Sequence, residues 1–390
     1  MITIKEALKI VLLHSNPLGI EDKITSDVLG CVLAEDIYSD IDIPSFNRSA
    51  MDGFAVNSKD PSKIFEVIED ISAGSVPQKA IKFGECARIM TGAMVPKGAD
   101  KVIKVEDTRK ISNVKIQITK GDSKLNVSEK GEDVGRGEKI LSKGTIVRPQ
   151  EIAMLATVGK TKVKVFQMPK IAVISTGSEL VESSQKPKLG QIRNSNGPML
   201  LAQLKIIGIN GKYLGIVRDN FALTVKLIKK GLAGSDILIL SGGVSVGDYD
   251  FVKEALKKCG VKIHFDKIAI KPGKPTVFGI FGKKIIFGLP GNPVSVLITF
   301  ELLVVPAIDK IVGRKTKVFF QKNRLLSDFS RRDTKREQYF PIVLTEKGIK
   351  LVSFHGSGHM QALTIANGVM QIKKGIRKIK KGTIVNVRSI

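Results

Sequence analysis

The chain has 390 residues, of which 63 are Lys or Arg and 37 are Asp or Glu, giving a formal net charge of +26. This length favours two to four domains, and the charge favours an anionic partner: nucleic acid, an anionic membrane, or a small phosphorylated or oxyanion ligand. Three widely spaced cysteines exclude a disulfide framework and a paired-thiol zinc site, and without a signal peptide or an apolar run of roughly 20 residues we expect a cytoplasmic protein with no membrane segment.

The first 166 residues predict a helical start followed by a β-rich stretch. Thr3 is followed by Glu6 at the spacing of a capping box, which predicts a helix beginning there. From 41 to about 137, short β-type runs are cut by glycine and proline, which indicates a small β-rich domain. A second helix is predicted over 149–158 and a short strand over 162–166.

Residues 170 to about 313 alternate between apolar runs and amphipathic helices, which is typical of a doubly wound α/β domain. The predicted strands cover 171–174, 237–240, 268–270 and 285–287, and the predicted helices cover 197–207, 220–232, 251–259 and 293–311. The tail, 315–390, has glycine-spaced β runs and is predicted to form a small β-barrel or sandwich.

The stretch SGGVSVGDYD, from Ser241 to Asp250, directly follows the apolar run 237–240. A glycine-rich turn leaving a buried strand brings backbone N–H groups together around an anion, and the next helix points its positive end at the same place. Asp250 adds an oxygen ligand that suits a hard cation such as Mg²⁺. The loop is therefore predicted to bind phosphate beside a carboxylate.

Three further loops follow predicted strands and should meet this one at the same rim of the sheet. They are STGSEL, with Glu179, the Lys271-Pro-Gly-Lys274-Pro loop, and the Leu-Pro290-Gly-Asn-Pro293 loop. Each alone could be an ordinary turn. Together they supply lysines for phosphate or an oxyanion and carboxylates for a cation or a nucleophile, which predicts phosphoryl or nucleotidyl chemistry.

Polar residues outside the α/β domain carry a weaker signal. Asp52 precedes a glycine, and Thr91 and Asp133 lie in similar polar stretches, so that simple turns explain all three equally well. The four histidines lack metal-ligand spacing and are interpreted as surface or packing residues. With no Trp and four Tyr, the chain lacks aromatic platforms for single-stranded nucleic acid.

The motifs taken together resemble the molybdopterin molybdenumtransferase family, which comprises the MoeA proteins and the related E domain of gephyrin. The resemblance covers almost the whole chain. It is carried by SAMDGFAV at 49–56, RIMTGAMVPKGAD at 88–100, GED at 131–133, STGSEL at 175–180, GGVSVGDYD at 242–250, AIKPGKP at 269–275 and GLPGNPVS at 288–295.

The resemblance implies a reaction in which molybdate is inserted into adenylylated molybdopterin while Mg²⁺ assists hydrolysis, giving molybdenum cofactor and AMP. It also implies a homodimer, with a molybdopterin adenylyltransferase as upstream partner. Four domains are implied: a MogA-like α/β domain (1–14 and 168–312), a linker and dimerisation domain (15–39 and 138–167), a β-rich domain (40–137) and a C-terminal β-barrel (313–390).

Site residues follow from the motif positions. The implied catalytic residues are Asp52, Thr91, Asp133, Glu179, Asp219 and Asp250, of which Glu179 and Asp250 would place Mg²⁺. The implied ligand-binding residues are Ser241, Gly242, Gly243, Ser245, Lys267, Lys271, Lys274, Pro290, Pro293, Arg336 and Ser357. Arg336 lies in a looser match.

One position departs from the family pattern, and three other functions remain open. Where the family commonly has aspartate before the glutamate of its TGDEL motif, this chain has Ser178, which puts charge around the site or cation affinity in doubt. The alternatives are a molybdopterin adenylyltransferase, which resembles the α/β domain alone, a gephyrin-like scaffold without turnover, and a nucleic-acid-binding protein. The additional domains and the acidic residues disfavour the first two, and the missing aromatic platforms disfavour the third.

Overall fold

The computed structural model describes residues 1–121, 123–244, 251–314 and 320–390. The chain divides into two compact units. The large unit consists of Met1–Ala34, Gly144–Arg148 and Val163–Ile390, and the small unit consists of Glu35–Lys143 and Pro149–Lys162.

A six-stranded sheet forms the centre of the large unit. Its strand order is Lys212–Val217, Ile171–Thr176, Ile237–Ser241, Lys284–Leu289, Val277–Phe281, Lys262–Phe265. The first four strands are mutually parallel, and the last two are antiparallel to their neighbours. Every residue of the second and third strands is buried, as expected for parallel strands covered on both faces.

Helices cover both faces of this sheet. Ile171 and Val173 belong to one buried cluster, whereas Ala172 and Ile174 belong to another, so that alternate residues of a strand pack on opposite faces. The helices are Ile4–His14, Asn196–Ile206, Phe221–Gly234, Val252–Lys258, Pro293–Thr299 and Val305–Ile311, the last two being joined by a π-helical segment, Phe300–Val304. The predicted α/β architecture is confirmed.

Local signals account for where two of these helices begin. The backbone N–H of Thr3 donates to Glu6 Oε2 (2.8 Å) and the Glu6 N–H donates to Thr3 Oγ1 (3.2 Å), which confirms the predicted capping box. The Leu223 N–H donates to Asn220 Oδ1 (3.0 Å), so that Asn220 caps the following helix.

The strand prediction over 268–270 is wrong in its placement. Ile270–Lys271 forms a parallel pair with Glu337–Thr345 and so belongs to the C-terminal sheet. The position beside Lys284–Leu289 is taken instead by Val277–Phe281, because the intervening residues 282–283 allow a tight antiparallel hairpin. A three-residue apolar run does not reveal which sheet it joins.

The C-terminal part of the large unit is β-rich, as predicted. Its sheet has the order Ile270–Lys271, Glu337–Thr345, Gly368–Ile372, Ile384–Ser389, Gln321–Arg324, with Gly348–Leu351 also paired to Glu337–Thr345. Outside these two sheets lie the short helix Gln361–Ile365 and three strand pairs: Phe329–Ser330 with Lys378–Ile379, Leu180–Val181 with Ile192–Arg193, and Ile20–Ile24 with Lys162–Phe166.

The small unit is built on a third six-stranded sheet and is β-rich, as the sequence predicted for this stretch. Its order is Lys101–Lys104, Gly53–Val56, Glu85–Ile89, Ile64–Ile71, Lys115–Ile118, Thr108–Ser112. The strand pairs Ile37–Tyr38 with Lys139–Leu141 and Arg48–Ser49 with Val127–Ser128, and the helix Pro149–Thr157, lie outside this sheet. Across the described parts of both units, every helix is too short or too polar to cross a bilayer.

Candidate active site

The glycine-rich loop begins where the buried strand Ile237–Ser241 ends. Gly242 and Gly243 have φ angles of +94° and +61°, a region that favours glycine. A Cβ at Gly243 would lie 2.7 Å from a methyl group of Val252 and 2.8 Å from Thr176 Oγ1, so no larger residue fits. The glycines therefore let the described part of the loop pack closely against Thr176 and Val252, and binding of phosphate by its backbone stays a prediction. Ser245 and Asp250 lie outside the described residues.

Ser241 was predicted to contact a ligand, but its hydroxyl group is bonded to other residues of the protein. Its side chain is buried, its hydroxyl donates to the Pro290 carbonyl (3.3 Å), and its Oγ accepts from Asn196 Nδ2 (2.9 Å). The Gly242 N–H donates to the Leu289 carbonyl (3.1 Å). These contacts fasten the glycine loop to the loop around Pro290, and they leave phosphate binding to other groups of the loop.

Two carboxylates meet beside the glycine loop in a cavity of about 220 Å³, which we call the acidic pocket. It is lined by Thr176, Gly177, Glu179, Asp219, Gly242, Gly243, Val244, Pro275, Pro290 and Gly291. A Cβ at Gly177 would lie 2.6 Å from either oxygen of Glu179, so the carboxylate rests directly against the Gly177 backbone. Glu179 and Asp219, which are 40 residues apart in sequence, are thus brought to one cavity, and their part in the reaction stays a prediction.

An adjoining cavity of about 380 Å³, the cationic pocket, contains the predicted lysines. It is lined by Lys271, Pro272, Gly273, Lys274, Pro275, Pro290, Gly291, Asn292, Ser295, Arg336, Gln338, Phe354, Gly356 and Ser357. Pro275, Pro290 and Gly291 line both pockets, which makes them neighbours. Three side chains of this lining are cationic and, among the residues that the structure describes, none is acidic, so the pocket suits an anion.

The C-terminal sheet places Arg336 and Ser357 in this pocket. Lys271 lies opposite Gln338 in the parallel pair that joins the two parts of the large unit. Arg336 Nη1 donates to the Ile270 carbonyl (3.3 Å). Asn292 Nδ2 donates to Ser357 Oγ (2.8 Å), which leaves the Ser357 hydroxyl hydrogen for a ligand.

Comparison with known proteins identifies the family of this chain. The chain matches the MoeA N-terminal region (domain I and II) over residues 2–159, a probable molybdopterin binding domain over 172–310, and the MoeA C-terminal region (domain IV) over 324–390. A molybdopterin molybdenumtransferase of Staphylococcus epidermidis RP62A is 40% identical over 400 residues, which covers 99% of this chain and 95% of that protein. The chain belongs to the MoeA family of molybdopterin molybdenumtransferases.

Other relatives agree with this assignment. A molybdopterin molybdenumtransferase of Staphylococcus aureus COL is 36% identical over 399 residues, again covering 99% of this chain and 95% of that protein. The crystal structure of a molybdopterin biosynthesis MoeA protein from Pyrococcus horikoshii OT3 superposes with a TM-score of 0.85 at 31% identity and covers 100% of both chains. As a MoeA protein, this chain is a transferase of molybdenum cofactor biosynthesis.

Like Ser241, two further residues expected in the MoeA cleft do not line either pocket. Lys267 contributes its carbonyl to a contact with the Ile2 N–H (3.4 Å), and its side chain is not part of either lining. Pro293 is the first residue of the helix Pro293–Thr299, where its fixed φ angle suits a helix start. Its role is to begin the helix immediately after the lining residue Asn292.

The sequence analysis missed Asn196, which connects two loops of the MoeA site. Its Nδ2 donates to Ser241 Oγ (2.9 Å) and to the Gly291 carbonyl (2.6 Å). Its Oδ1 is buried and has no partner within the described residues. An asparagine at the first position of a helix was the available signal, but this signal indicates only a local turn and not a contact 95 residues away. The sequence analysis also assigned no role to four residues that line the cationic pocket: Asn292, Ser295, Gln338 and Phe354.

Asp52 and Thr91 form a contact in the small unit. The Thr91 N–H and hydroxyl both donate to Asp52 Oδ1, at 2.6 and 2.7 Å. Both hydrogen bonds lower the pKa of the Asp52 carboxyl group, and the bond from the hydroxyl has the larger effect. Asp133 is exposed, with one oxygen 4.0 Å from Arg48 Nη2. That these three residues take part in the reaction stays a prediction.

The four histidines lie in two pairs, which agrees with packing and not with metal coordination. The rings of His14 and His264 lie 4.3 Å apart, and those of His355 and His359 lie 5.0 Å apart. In residues 1–121, 123–244, 251–314 and 320–390, no three His, Cys, Asp or Glu side chains form a metal-binding group. Asp250, which was predicted to bind Mg²⁺ together with Glu179, lies outside these residues.

Proposed function

We propose that this chain inserts molybdate into adenylylated molybdopterin, with Mg²⁺-dependent release of AMP. The observation that supports this proposal is the contact between two pockets of opposite chemistry, which share Pro275, Pro290 and Gly291. An oxyanion in the cationic pocket and a phosphoanhydride beside the acidic pocket would lie next to each other. Metal insertion and anhydride hydrolysis require this proximity.

The cationic pocket would bind the molybdate dianion. Lys271 and Lys274 act as point charges, and Ser357 offers its free hydroxyl hydrogen. Arg336 adds a third positive charge, although its Nη2 is paired with Asp333 (3.3 Å) and its Nη1 with the Ile270 carbonyl. A tetrahedral oxyanion needs donors that converge from several directions, and these residues come from two loops and from the C-terminal sheet. Molybdate and tungstate share charge and nearly share size, so both are expected to enter.

The acidic pocket would hold the phosphate end of the substrate. Gly242 and Gly243 let the loop turn with positive φ angles and pack against Thr176 and Val252, which places the loop at the edge of the acidic pocket. Glu179 and Asp219 present carboxylate oxygens, the ligand type that Mg²⁺ prefers, and the family resemblance adds Asp250. Bound Mg²⁺ supplies charge neutralisation at the phosphoanhydride.

A homodimer in the cytoplasm, working downstream of a molybdopterin adenylyltransferase, is part of the same proposal. Ile20 and Ile24 project from one face of the strand Ile20–Ile24 with 50% and 48% of their surface exposed, and Leu29 is 63% exposed. Apolar side chains exposed this close in sequence favour coverage by a second copy. Sedimentation at micromolar concentration tests this part, and a monomer would contradict it.

The decisive experiment incubates the purified protein with adenylylated molybdopterin, Mg²⁺ and molybdate and measures AMP and molybdenum-loaded cofactor. Lys271→Ala should raise the molybdate concentration for half-maximal insertion about tenfold or more, because one charge-assisted contact is lost. The exposed helix residue Lys226 provides a matched control, Lys226→Ala, with the same change of charge.

Glu179→Gln and Asp250→Ala should remove AMP release while leaving the melting temperature unchanged. AMP release at the wild-type rate in both variants would contradict the assigned roles. A wild-type protein that retains nucleic acid with steep salt dependence and ignores molybdate would favour the nucleic-acid alternative. Binding of substrate without turnover under all conditions would favour the scaffold.

A further inference from the structure

Two loops of the acidic pocket are joined by a reciprocal pair of hydrogen bonds. The Ser178 N–H donates to Asp219 Oδ2 (3.0 Å), and the Asp219 N–H donates to Ser178 Oγ (3.0 Å). A third bond, from the Gly177 N–H to the Val217 carbonyl (3.1 Å), lies beside them. The loops leave two neighbouring parallel strands, in which Thr176 lies opposite Val217. The strand pairing is thus extended past its end by contacts that involve both side chains.

These contacts determine how Asp219 presents its carboxylate. Oδ2 accepts from Ser178, and no residue in the described part of the chain donates to Oδ1, which is left for a ligand of the acidic pocket that Asp219 lines. The backbone of Asp219 is held by the serine oxygen, and its side chain is held by the serine N–H. Both the position and the rotation of the carboxylate are therefore restrained before any ligand binds.

Ser178 achieves this without adding charge. Its hydroxyl oxygen accepts one hydrogen bond and its hydrogen can still donate, whereas a carboxylate at this position could only accept. Glu179 and Asp219 already place two negative charges at the pocket. A third carboxylate would strengthen attraction for a divalent cation and weaken attraction for a phosphorylated substrate.

We infer that Ser178 is a positioning residue that orients Asp219 and, being neutral, sets the balance of the acidic pocket between divalent cation and anionic substrate. This inference rests on the proposed function for its kinetic consequences. The hydrogen bonds themselves do not depend on that function, so they can be tested separately.

The kinetic experiment compares Ser178→Ala, Ser178→Thr and Ser178→Asp, with the exposed Ser183→Ala of the same loop region as control. Ser178→Ala loses one hydrogen bond, so kcat for AMP release should fall about two- to tenfold with KM for molybdate unchanged. Ser178→Thr, which keeps the hydroxyl, should restore kcat. Ser178→Asp should lower the Mg²⁺ concentration for half-maximal rate and raise KM for adenylylated molybdopterin, each severalfold.

A measurement without turnover keeps the inference testable if the wild type releases no AMP. Hydrogen exchange of the Asp219 amide should be several times faster in Ser178→Ala than in wild type and near wild type in Ser178→Thr. Calorimetric titration with Mg²⁺ alone should give tighter binding to Ser178→Asp than to wild type. Equal exchange in Ser178→Ala, or unchanged kcat in an active enzyme, overturns the positioning role, and equal Mg²⁺ dependence overturns the charge balance.

Discussion

Replacement of Arg388 by Met tests how the last strand of the chain is fixed to the α/β domain. Arg388 lies in Ile384–Ser389, and its Nη2 lies 2.6 Å from Glu301 Oε2 in the π-helical segment Phe300–Val304. The two side chains are only 12% and 22% exposed. Without Arg388, the one contact that the described residues leave to the partly buried Glu301 carboxylate is a long one from Gln203 Nε2 (3.5 Å).

The expected cost follows from these contacts. Removing one partner of a buried ion pair costs about 3–5 kcal/mol, and the partial exposure of Glu301 places this pair at the lower end. Arg388 Nη1 is buried with no partner in the described structure. Because the substitution removes this unpaired donor, it recovers about 1 kcal/mol of stability. The Met side chain replaces much of the packing of the arginine stem. The net loss of stability should therefore be about 2 kcal/mol.

Scanning calorimetry measures this loss. At roughly 2–4 °C per kcal/mol, Arg388→Met should lower the melting temperature of the large unit by about 4–8 °C. The exposed Arg377→Met is the matched control and should leave it unchanged. The double variant Arg388→Met/Glu301→Leu should regain most of the loss, because the charge left behind is also removed. A shift below about 1 °C in Arg388→Met, or a double variant no more stable than the single one, would refute the reasoning.

Three other predictions concern the glycine loop and the small unit. Gly243→Ala should raise KM for adenylylated molybdopterin about tenfold or more, because its Cβ would lie 2.7 Å from Val252; an unchanged KM measured by AMP release would contradict the close-approach role. Burial raises the pKa of Cys86 to about 12, so native protein at pH 8 should resist iodoacetamide, and rapid alkylation detected by mass spectrometry would count against the buried thiol. Thr91→Val removes the hydroxyl that lowers the pKa of Asp52, so NMR titration of this carboxyl group should give a higher pKa than in wild type. The lowered pKa stabilises the fold above the unfolded-state pKa, and this stabilisation is lost as pH falls through the folded-state pKa. The variant should therefore lose less stability on acidification than wild type.

The sequence predicted the α/β domain because its strands are continuous apolar runs. Ile171–Thr176 and Ile237–Ser241 are buried throughout, and such runs bounded by glycine are recognisable without a structure. Lys212–Val217 and Lys262–Phe265 were not predicted. Both contain charged or half-buried residues, as strands at the two edges of a sheet do, and their apolar signal is correspondingly weak.

The residue types of the site can be read from the sequence: glycines where backbone must approach closely, carboxylates and lysines after strand ends, and a serine in place of a family aspartate. Which of these residues meet depends on long-range packing. Ile270–Lys271 joins the C-terminal sheet, and this pairing brings Arg336 next to Lys271. Contacts with Asn196 and Pro290 hold Ser241 in a buried position, and Lys267 lies outside both pockets. Strand pairing across tens of residues depends on the burial of whole faces, a property that no short motif contains.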